Sequence, residues 1–208
     1  MSTPLPAGTR AQAIALGSAT LYEASGRHGA LPSQIAAIDT SSAVCGEAFP
    51  VTCSAGDNLF VHRAVCAASA GDVLVVEVGG AGEFGYFGEV LARASMARGI
   101  AGLVISGGVR DANRMVALGF PVFASRRCIR GTTKRSDGLG ALGTPVVLGG
   151  VVIRRGDVIV GDGDGVVAIG AESFPAVLAS GHAREAEEAE IFSRIAAGET
   201  TLDIYGLR

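Results

Sequence analysis

Paired cysteines are missing from this 208-residue chain. Its four cysteines, Cys45, Cys53, Cys66 and Cys128, form no Cys-x-x-Cys motif, and each stands in apolar sequence. That predicts reduced, buried, small hydrophobes in a cytoplasmic protein. Histidine is scarce too. His28, His62 and His182 lie far apart, so nothing points to a histidine-rich zinc site. Any metal site must lean on carboxylates, which favours a hard ion such as magnesium or manganese. No long basic block occurs and the net charge is -3, so the electrostatic footprint of a nucleic-acid binder is absent. The longest uncharged run, 138–153, has 16 residues, five of them Gly and one Pro. It falls short of the ~20 apolar residues of a membrane-spanning helix. The first ten residues show no charged start followed by an apolar stretch, so no signal peptide is expected.

What is present describes a folded α/β protein. Hydrophobic residues make up 49% and charged residues 18%, which excludes disorder as the main state. The length suits one good-sized core or two small ones. Glycine, at 31 residues, is about twice its usual share. It follows no three-residue period, so it reads as tight turns and close backbone approaches.

Residues 10–25 carry apolar positions at helical spacing, broken near Gly17, with Ser18 as the N-cap of a second helix, 19–24. Strand-like stretches follow at 42–45 and 48–53, then Asp57 as the N-cap of a helix over 58–68. The run 73–78 is apolar save for Glu77 and flanked by glycine, which predicts a strand buried on both faces. A glycine-rich loop, 79–85, leads into a helix ending near Arg98 with Gly99 as its C-cap. A strand at 103–105, a short helix at 111–118 and a strand at 121–124 complete an alternation that predicts parallel pairing. From Pro145 the pattern changes. Four β-branched runs (146–148, 151–153, 158–160, 166–169) separated by turn residues predict a meander. A parallel α/β segment and a meander together imply a layered β/β/α domain over residues 1–170. Residues 171–208 read as a helical arm. Its long helix, 172–197, is apolar at both ends, with only alanine between the charges of 182–190. Such a helix is either solvated or crosses to a neighbouring subunit.

Two constellations bear on function. Gly80-Ala81-Gly82-Glu83-Phe84-Gly85 fits G-x-G-x-x-G, but Glu83 sits where a pyrophosphate would lie and the next strand ends Ile105-Ser106-Gly107-Gly108, with no acidic residue for a ribose. What remains is a helix start able to hold a small anion. Arg110-Asp111 stands just past the second buried strand, facing the 79–91 segment across a crevice. Either Asp111 caps the following helix and pairs with Arg110, or Asp111 ligates a divalent ion and Arg110 neutralises a developing enolate. The Asp162-Gly163-Asp164-Gly165 stretch lacks the closing Glu of a calcium loop and reads as a hairpin turn. His62 reads as a helix-surface residue. There is no Gly-x-Ser-x-Gly motif.

Gly88-Glu89, twenty residues, then Arg110-Asp111 matches a G-[DE]-x20-R-D signature. With Ala55-Gly56-Asp57-Asn58-Leu59, the 71–76 segment, Thr133-Lys134, Gly149-Gly150-Val151 and Arg155-Gly156-Asp157, it resembles the class II pyruvate aldolases. These act on 4-hydroxy-4-methyl-2-oxoglutarate and 4-carboxy-4-hydroxy-2-oxoadipate, and the same family includes the regulator of ribonuclease E activity A. The resemblance spans most of 18–206. It implies a swivelling β/β/α fold, like that of phosphohistidine domains, assembled as a homotrimer or homohexamer with sites near subunit interfaces. It implies magnesium or manganese on Asp111. Arg110 and the helix start Gly88, Glu89, Val90 and Leu91 would hold the pyruvyl part of a small 2-oxo acid, and Lys134 would lie in the same pocket. Glu23 and Glu188 would order metal-bound waters, one or both from a neighbouring subunit. Glu89 replaces the Asp common in ring-cleavage aldolases. The acidic arm and the 200–207 tail resemble the aldolases rather than the shorter ribonuclease regulators. The implied reaction is therefore cleavage to pyruvate, with oxaloacetate decarboxylation alongside. The alternative is a non-catalytic regulator of a ribonuclease.

Overall fold

The computed structural model describes residues 5–80 and 83–208. Ala81 and Gly82 of the glycine-rich motif, and the first four residues, lie outside the described residues. In chain order the elements are α1 (Ala7–Ala24), β1 (Ala36–Ala37), β2 (Val44–Cys53), α2 (Leu59–Ala67), β3 (Asp72–Val78), β4 (Gly85–Phe87), α3 (Glu89–Ala97), β5 (Gly102–Val109), α4 (Ala112–Leu118) and β6 (Val122–Arg127). Then come β7 (Gly140–Leu142), β8 (Val146–Leu148), β9 (Val151–Ile153), β10 (Val158–Gly161), β11 (Val166–Ile169), α5 (Phe174–Ala196) and α6 (Thr201–Ile204).

The predicted parallel core is present: β2, β3, β5 and β6 lie side by side and parallel. The sheet runs β1-β6-β5-β3-β2-β10-β11, with β4 on β5 and β7 on β2. Side chains alternate between its faces. Leu74 and Val76 of β3, with Phe49 and Val51 of β2, pack under α2, α3 and α4. Val73 and Val75, with Val44 and Ala48, point to the opposite face beneath the β8–β9 hairpin. Both faces being covered explains why 73–76 is fully apolar; each such buried aliphatic is worth ~1.5–3 kcal/mol over exposure. A third cluster joins α1 and the start of α5 to β10 and β11 through Leu16, Leu21, Phe174 and Val177.

Several local expectations are corrected. The stretches 42–45 and 48–53 form one strand, β2, because its pairing with β3 runs unbroken from Glu47 to Cys53. Asn58, one residue on from Asp57, is the N-cap of α2; the Asp57 carboxylate instead accepts the Leu59 N–H at 2.8 Å. The break expected near Gly17 is present: α1 is interrupted there by a non-helical residue, whose φ of 79° suits glycine. Ser18 does not cap it with its own oxygen. Its N–H and hydroxyl both donate to Asp162, at 2.6 Å each. The Asp162 N–H donates to the Gly165 carbonyl at 3.0 Å and closes the turn of the β10–β11 hairpin. The four β-branched runs are strands, but not one meander: β8–β9 is a separate hairpin, while β10 and β11 extend the main sheet from β2. Three short strands, β1, β4 and β7, had no sequence signal. Cys45 and Cys53 are buried, and burial pushes each thiol up to about 12. Cys66 is exposed, on the face of α2 away from its buried Val61, Ala64 and Val65.

Candidate active site

The site forms beyond the carboxyl end of β5. There β4 runs parallel to β5, and the Arg110 N–H donates to the Phe87 carbonyl at 2.9 Å. This brings the start of α3 against the start of α4. Two glycines allow the approach. A Cβ at Gly85 would lie 3.1 Å from Arg110 Cβ, and one at Gly88 2.7 Å from Asp111 Oδ2.

Asp111 itself is left-handed, with φ 56° and ψ 30°, and makes no side-chain capping bond to α4. Aspartate is among the few residues that enter this region readily. Its Oδ2 accepts the Glu89 N–H at 3.3 Å and lies 3.8 Å from Arg110 Nε. The carboxylate is thus turned from its own helix toward α3. Asp111 stands at the N-cap position and pairs with Arg110, but its side chain makes no capping bond.

Lys134 arrives from a distant loop held by a buried carboxylate. Asp57 Oδ2 accepts the Thr133 hydroxyl at 2.9 Å and the Arg135 N–H at 2.6 Å, flanking the lysine. The Asn58 N–H donates to the Thr133 carbonyl at 3.1 Å. Burial alone would raise the Asp57 carboxyl. The hydrogen bonds from Arg135, Leu59 and Thr133 outweigh it and hold the group below its ordinary value.

Gly88, Val90, Leu91, Arg110, Asp111 and Lys134 therefore line one cavity of about 160 Å³. A wider groove of about 440 Å³ shares Arg110 and Asp111 and continues along Arg114, Arg127 and Cys128. The Glu89 side chain behaves differently from expectation. Arg114 and Arg93 clamp it at 2.9 and 2.8 Å and hold its carboxyl below the usual range, so only its backbone N–H turns to Asp111. Glu23 and Glu188 do not reach the cavity within one chain. They flank Arg184, at 3.8 and 3.7 Å, where α1 meets α5.

Sequence reasoning missed Asn58, His62, Tyr86 and Thr132, which line the same cavity. His62 is not a plain surface residue. Burial, then Lys134 nearby, lowers its pKa. Lys134, already expected in this pocket, is the only lysine in the chain.

Asp111 is the carboxylate residue that lines this cavity, and no cluster of three or more His, Cys, Asp or Glu side chains occurs among the described residues. A soft or fully caged ion does not fit that donor set. A hard ion does, since magnesium is commonly held by one or two carboxylates with waters and substrate oxygens completing the shell.

Residues 18–168 match the RraA-like family, described as Aldolase/RraA. The chain belongs to this family. Among its relatives is a protein of Halalkalibacterium halodurans named "Putative 4-hydroxy-4-methyl-2-oxoglutarate aldolase", 37% identical over 161 residues, 76% of this chain and 74% of that one. A crystal structure from Pseudomonas syringae pv. tomato, of a protein without assigned function, superposes with a TM-score of 0.87 at 26% identity, covering 100% of this chain and 97% of that one. The RNA-processing inhibitor RraA from Thermus thermophilis superposes with a TM-score of 0.66 at 25% identity, over 73% of this chain and 90% of that one. The α/β fold expected from the sequence is thus the fold of the family. No helix among the described residues is long and apolar enough to cross a membrane.

Proposed function

We propose that the chain is a divalent-metal-dependent aldolase. It cleaves 4-hydroxy-4-methyl-2-oxoglutarate or 4-carboxy-4-hydroxy-2-oxoadipate type acids to pyruvate and a second 2-oxo acid, and decarboxylates oxaloacetate as a side reaction. The observation that carries this reading is the Arg110–Asp111 pair turned toward the start of α3, in a cavity that also holds the single lysine. Arg110 and Lys134 against Asp111 make the cavity attractive to an anion.

Asp111 would hold the magnesium or manganese ion, which supplies Lewis-acid polarisation of a keto group when bound. The first-turn amides of Val90 and Leu91 have no partner inside α3, and the helix dipole favours a carboxylate there. Arg110 donates to the keto oxygen, where negative charge grows as the C3–C4 bond breaks. A water ordered by Glu23 and Glu188, contributed by a neighbouring copy in a homotrimer or homohexamer, takes the C4 hydroxyl proton. The electron pair of C3–C4 becomes the pyruvate enolate, C4 becomes the new carbonyl, and protonation at C3 completes pyruvate. Oxaloacetate passes through the same enolate on losing carbon dioxide.

A lactate-dehydrogenase-coupled pyruvate assay tests the reading, run on both tertiary alcohols and oxaloacetate with and without EDTA. Pyruvate that disappears in EDTA and returns with manganese is expected; no pyruvate from any of the three overturns it. Borohydride with pyruvate distinguishes a Schiff base: the expected result is no adduct on Lys134. The kinship with RraA inhibitors favours a second reading, contact-based regulation of a ribonuclease, which a pull-down against ribonuclease E examines directly.

A further inference from the structure

The cavity that would hold the pyruvyl part is small, about 160 Å³, and shares Arg110 and Asp111 with the groove of about 440 Å³. The part of a substrate beyond its cleaved bond then lies along that groove. Three arginines line it, and their charges are not equally available. Arg114 is neutralised by Glu89 at 2.9 Å. Arg110 lies 3.8 Å from Asp111 Oδ2. Arg127 forms no ion pair among the described residues; its Nη2 donates to the Ile38 carbonyl at 2.9 Å. A carbonyl orients a guanidinium without cancelling its charge, and it occupies only part of a five-donor fork. Arg126, next in the chain, is paired with Glu83. The groove therefore carries one uncompensated cation, on Arg127.

The fold sets that cation beside the reaction site. Arg127 ends β6, and its register partner on β5 is Val109, the residue before Arg110. The Cys128 N–H donates to the Val109 carbonyl at 2.8 Å, so the two strands stay paired up to the site. Arg127 and Arg110 thus start from adjacent strand ends, with the strands about 4.8 Å apart.

The two candidate acids differ in what they would place there. Both carry a C1 carboxylate, a keto group, and a hydroxyl and a carboxylate on C4. One has a methyl as the last C4 substituent; the other has a CH2-carboxylate arm. We infer that Arg127 is a specificity residue, whose guanidinium takes the carboxylate of that arm. The inference rests on the aldolase reading and deepens it: the site favours 4-hydroxy-2-oxo acids with an acidic arm on C4 over those with a methyl. An arginine–carboxylate pair is directional as well as attractive, and a methyl leaves the cation unmatched.

The test compares two substrates of one enzyme. Cleavage of 4-carboxy-4-hydroxy-2-oxoadipate and of 4-hydroxy-4-methyl-2-oxoglutarate is read as pyruvate, with manganese present, in wild type, Arg127→Ala, Arg127→Gln and Arg127→Lys. Wild type should have the higher kcat/KM on the acid with the acidic arm. The ratio of the two kcat/KM values should fall about ten-fold in Arg127→Ala, the worth of one hydrogen bond between charged groups in an open groove. It should recover in part in Arg127→Lys, which keeps the charge but not the fork. If Arg127→Ala does not fold, Arg127→Gln, which keeps an N–H for the Ile38 carbonyl, decides on the same ratio. An unchanged ratio, whether both activities fall together or neither does, overturns the role of Arg127 and leaves the aldolase standing. So does a wild type that favours the methyl acid. A wild type that makes pyruvate from neither acid overturns the aldolase reading and this inference with it.

Discussion

A Cβ placed on Gly88 would lie 2.7 Å from Asp111 Oδ2 and 3.1 Å from Arg110 Cγ. The first distance is closer than any real side chain tolerates. The backbone at Gly88 is extended, with φ -159°, so alanine meets no conformational penalty there. The conflict is purely with the two site residues. Gly88→Ala should therefore fold with a near-normal melting temperature and lose most pyruvate formation, about ten-fold or more, since displacements near 1 Å at a reacting centre cost up to roughly 10² in rate. Thermal melting beside the coupled assay checks this; a fully active variant would show that the pair need not sit where it does.

Asp111 invites a charge-only substitution. Asn shares its tolerance of the left-handed region, so Asp111→Asn keeps the turn while removing the carboxylate. The expected outcome is an unchanged fold by circular dichroism and loss of manganese binding by calorimetry. Arg110→Ala should keep manganese binding yet lose roughly 10²–10³ in kcat, the usual cost of removing a donor from a developing oxyanion. Normal turnover in either variant would contradict the proposed roles.

Asp57 links stability to pH. Its folded-state carboxyl is held below its ordinary value of 3.8. The stabilisation is therefore complete above that value and is lost as pH falls through it toward the lower folded value. Asp57→Asn leaves buried donors facing a changed partner and should cost about 1–3 kcal/mol at neutral pH. The gap between wild type and variant should begin to narrow below about pH 4 and close only as pH falls through the lowered folded value, where the wild-type carboxyl itself becomes protonated. Denaturant melts at pH 7, 5 and 3 would show it. A gap constant with pH would mean that the carboxylate charge plays no part in anchoring the loop.

The parallel strands were legible because burial on both faces leaves a continuous apolar run, as in 73–76. The strands β1 and β7, at two and three residues, are too short to leave a periodic trace. The strand β4 hides behind a glycine-rich loop and shows only through its pairing with Val109. The site divides in the same way. Arg110 and Asp111 were legible because they follow a strand end, and Gly88 through the resemblance carried by its spacing to them. Asn58 and His62 converge on that cavity only through the packing of α2 against the sheet, which no local pattern reports. The clamping of Glu89 by Arg114 joins two helices 25 residues apart and was invisible for the same reason.

The arm poses the final question. The start of α5 is anchored: Phe174, Val177 and Gly181 are buried, and a Cβ on Gly181 would sit 2.9 Å from Leu16. Beyond Gly181 no residue is buried, and Phe192, Tyr205 and Leu207 are 63%, 58% and 67% exposed. An apolar set of this kind marks a contact surface. On the proposed assembly, Glu188 of one copy serves the Asp111 of another. Deleting 191–208 should then reduce the mass measured by light scattering. Mixing separates a shared site from a private one. Glu188→Gln and Asp111→Asn subunits, each inactive alone, should regain activity when unfolded together and refolded as hybrids, because some sites then combine an intact Asp111 with an intact Glu188. If every site were built from one chain, each hybrid site would keep a defect and the mixture would stay inactive.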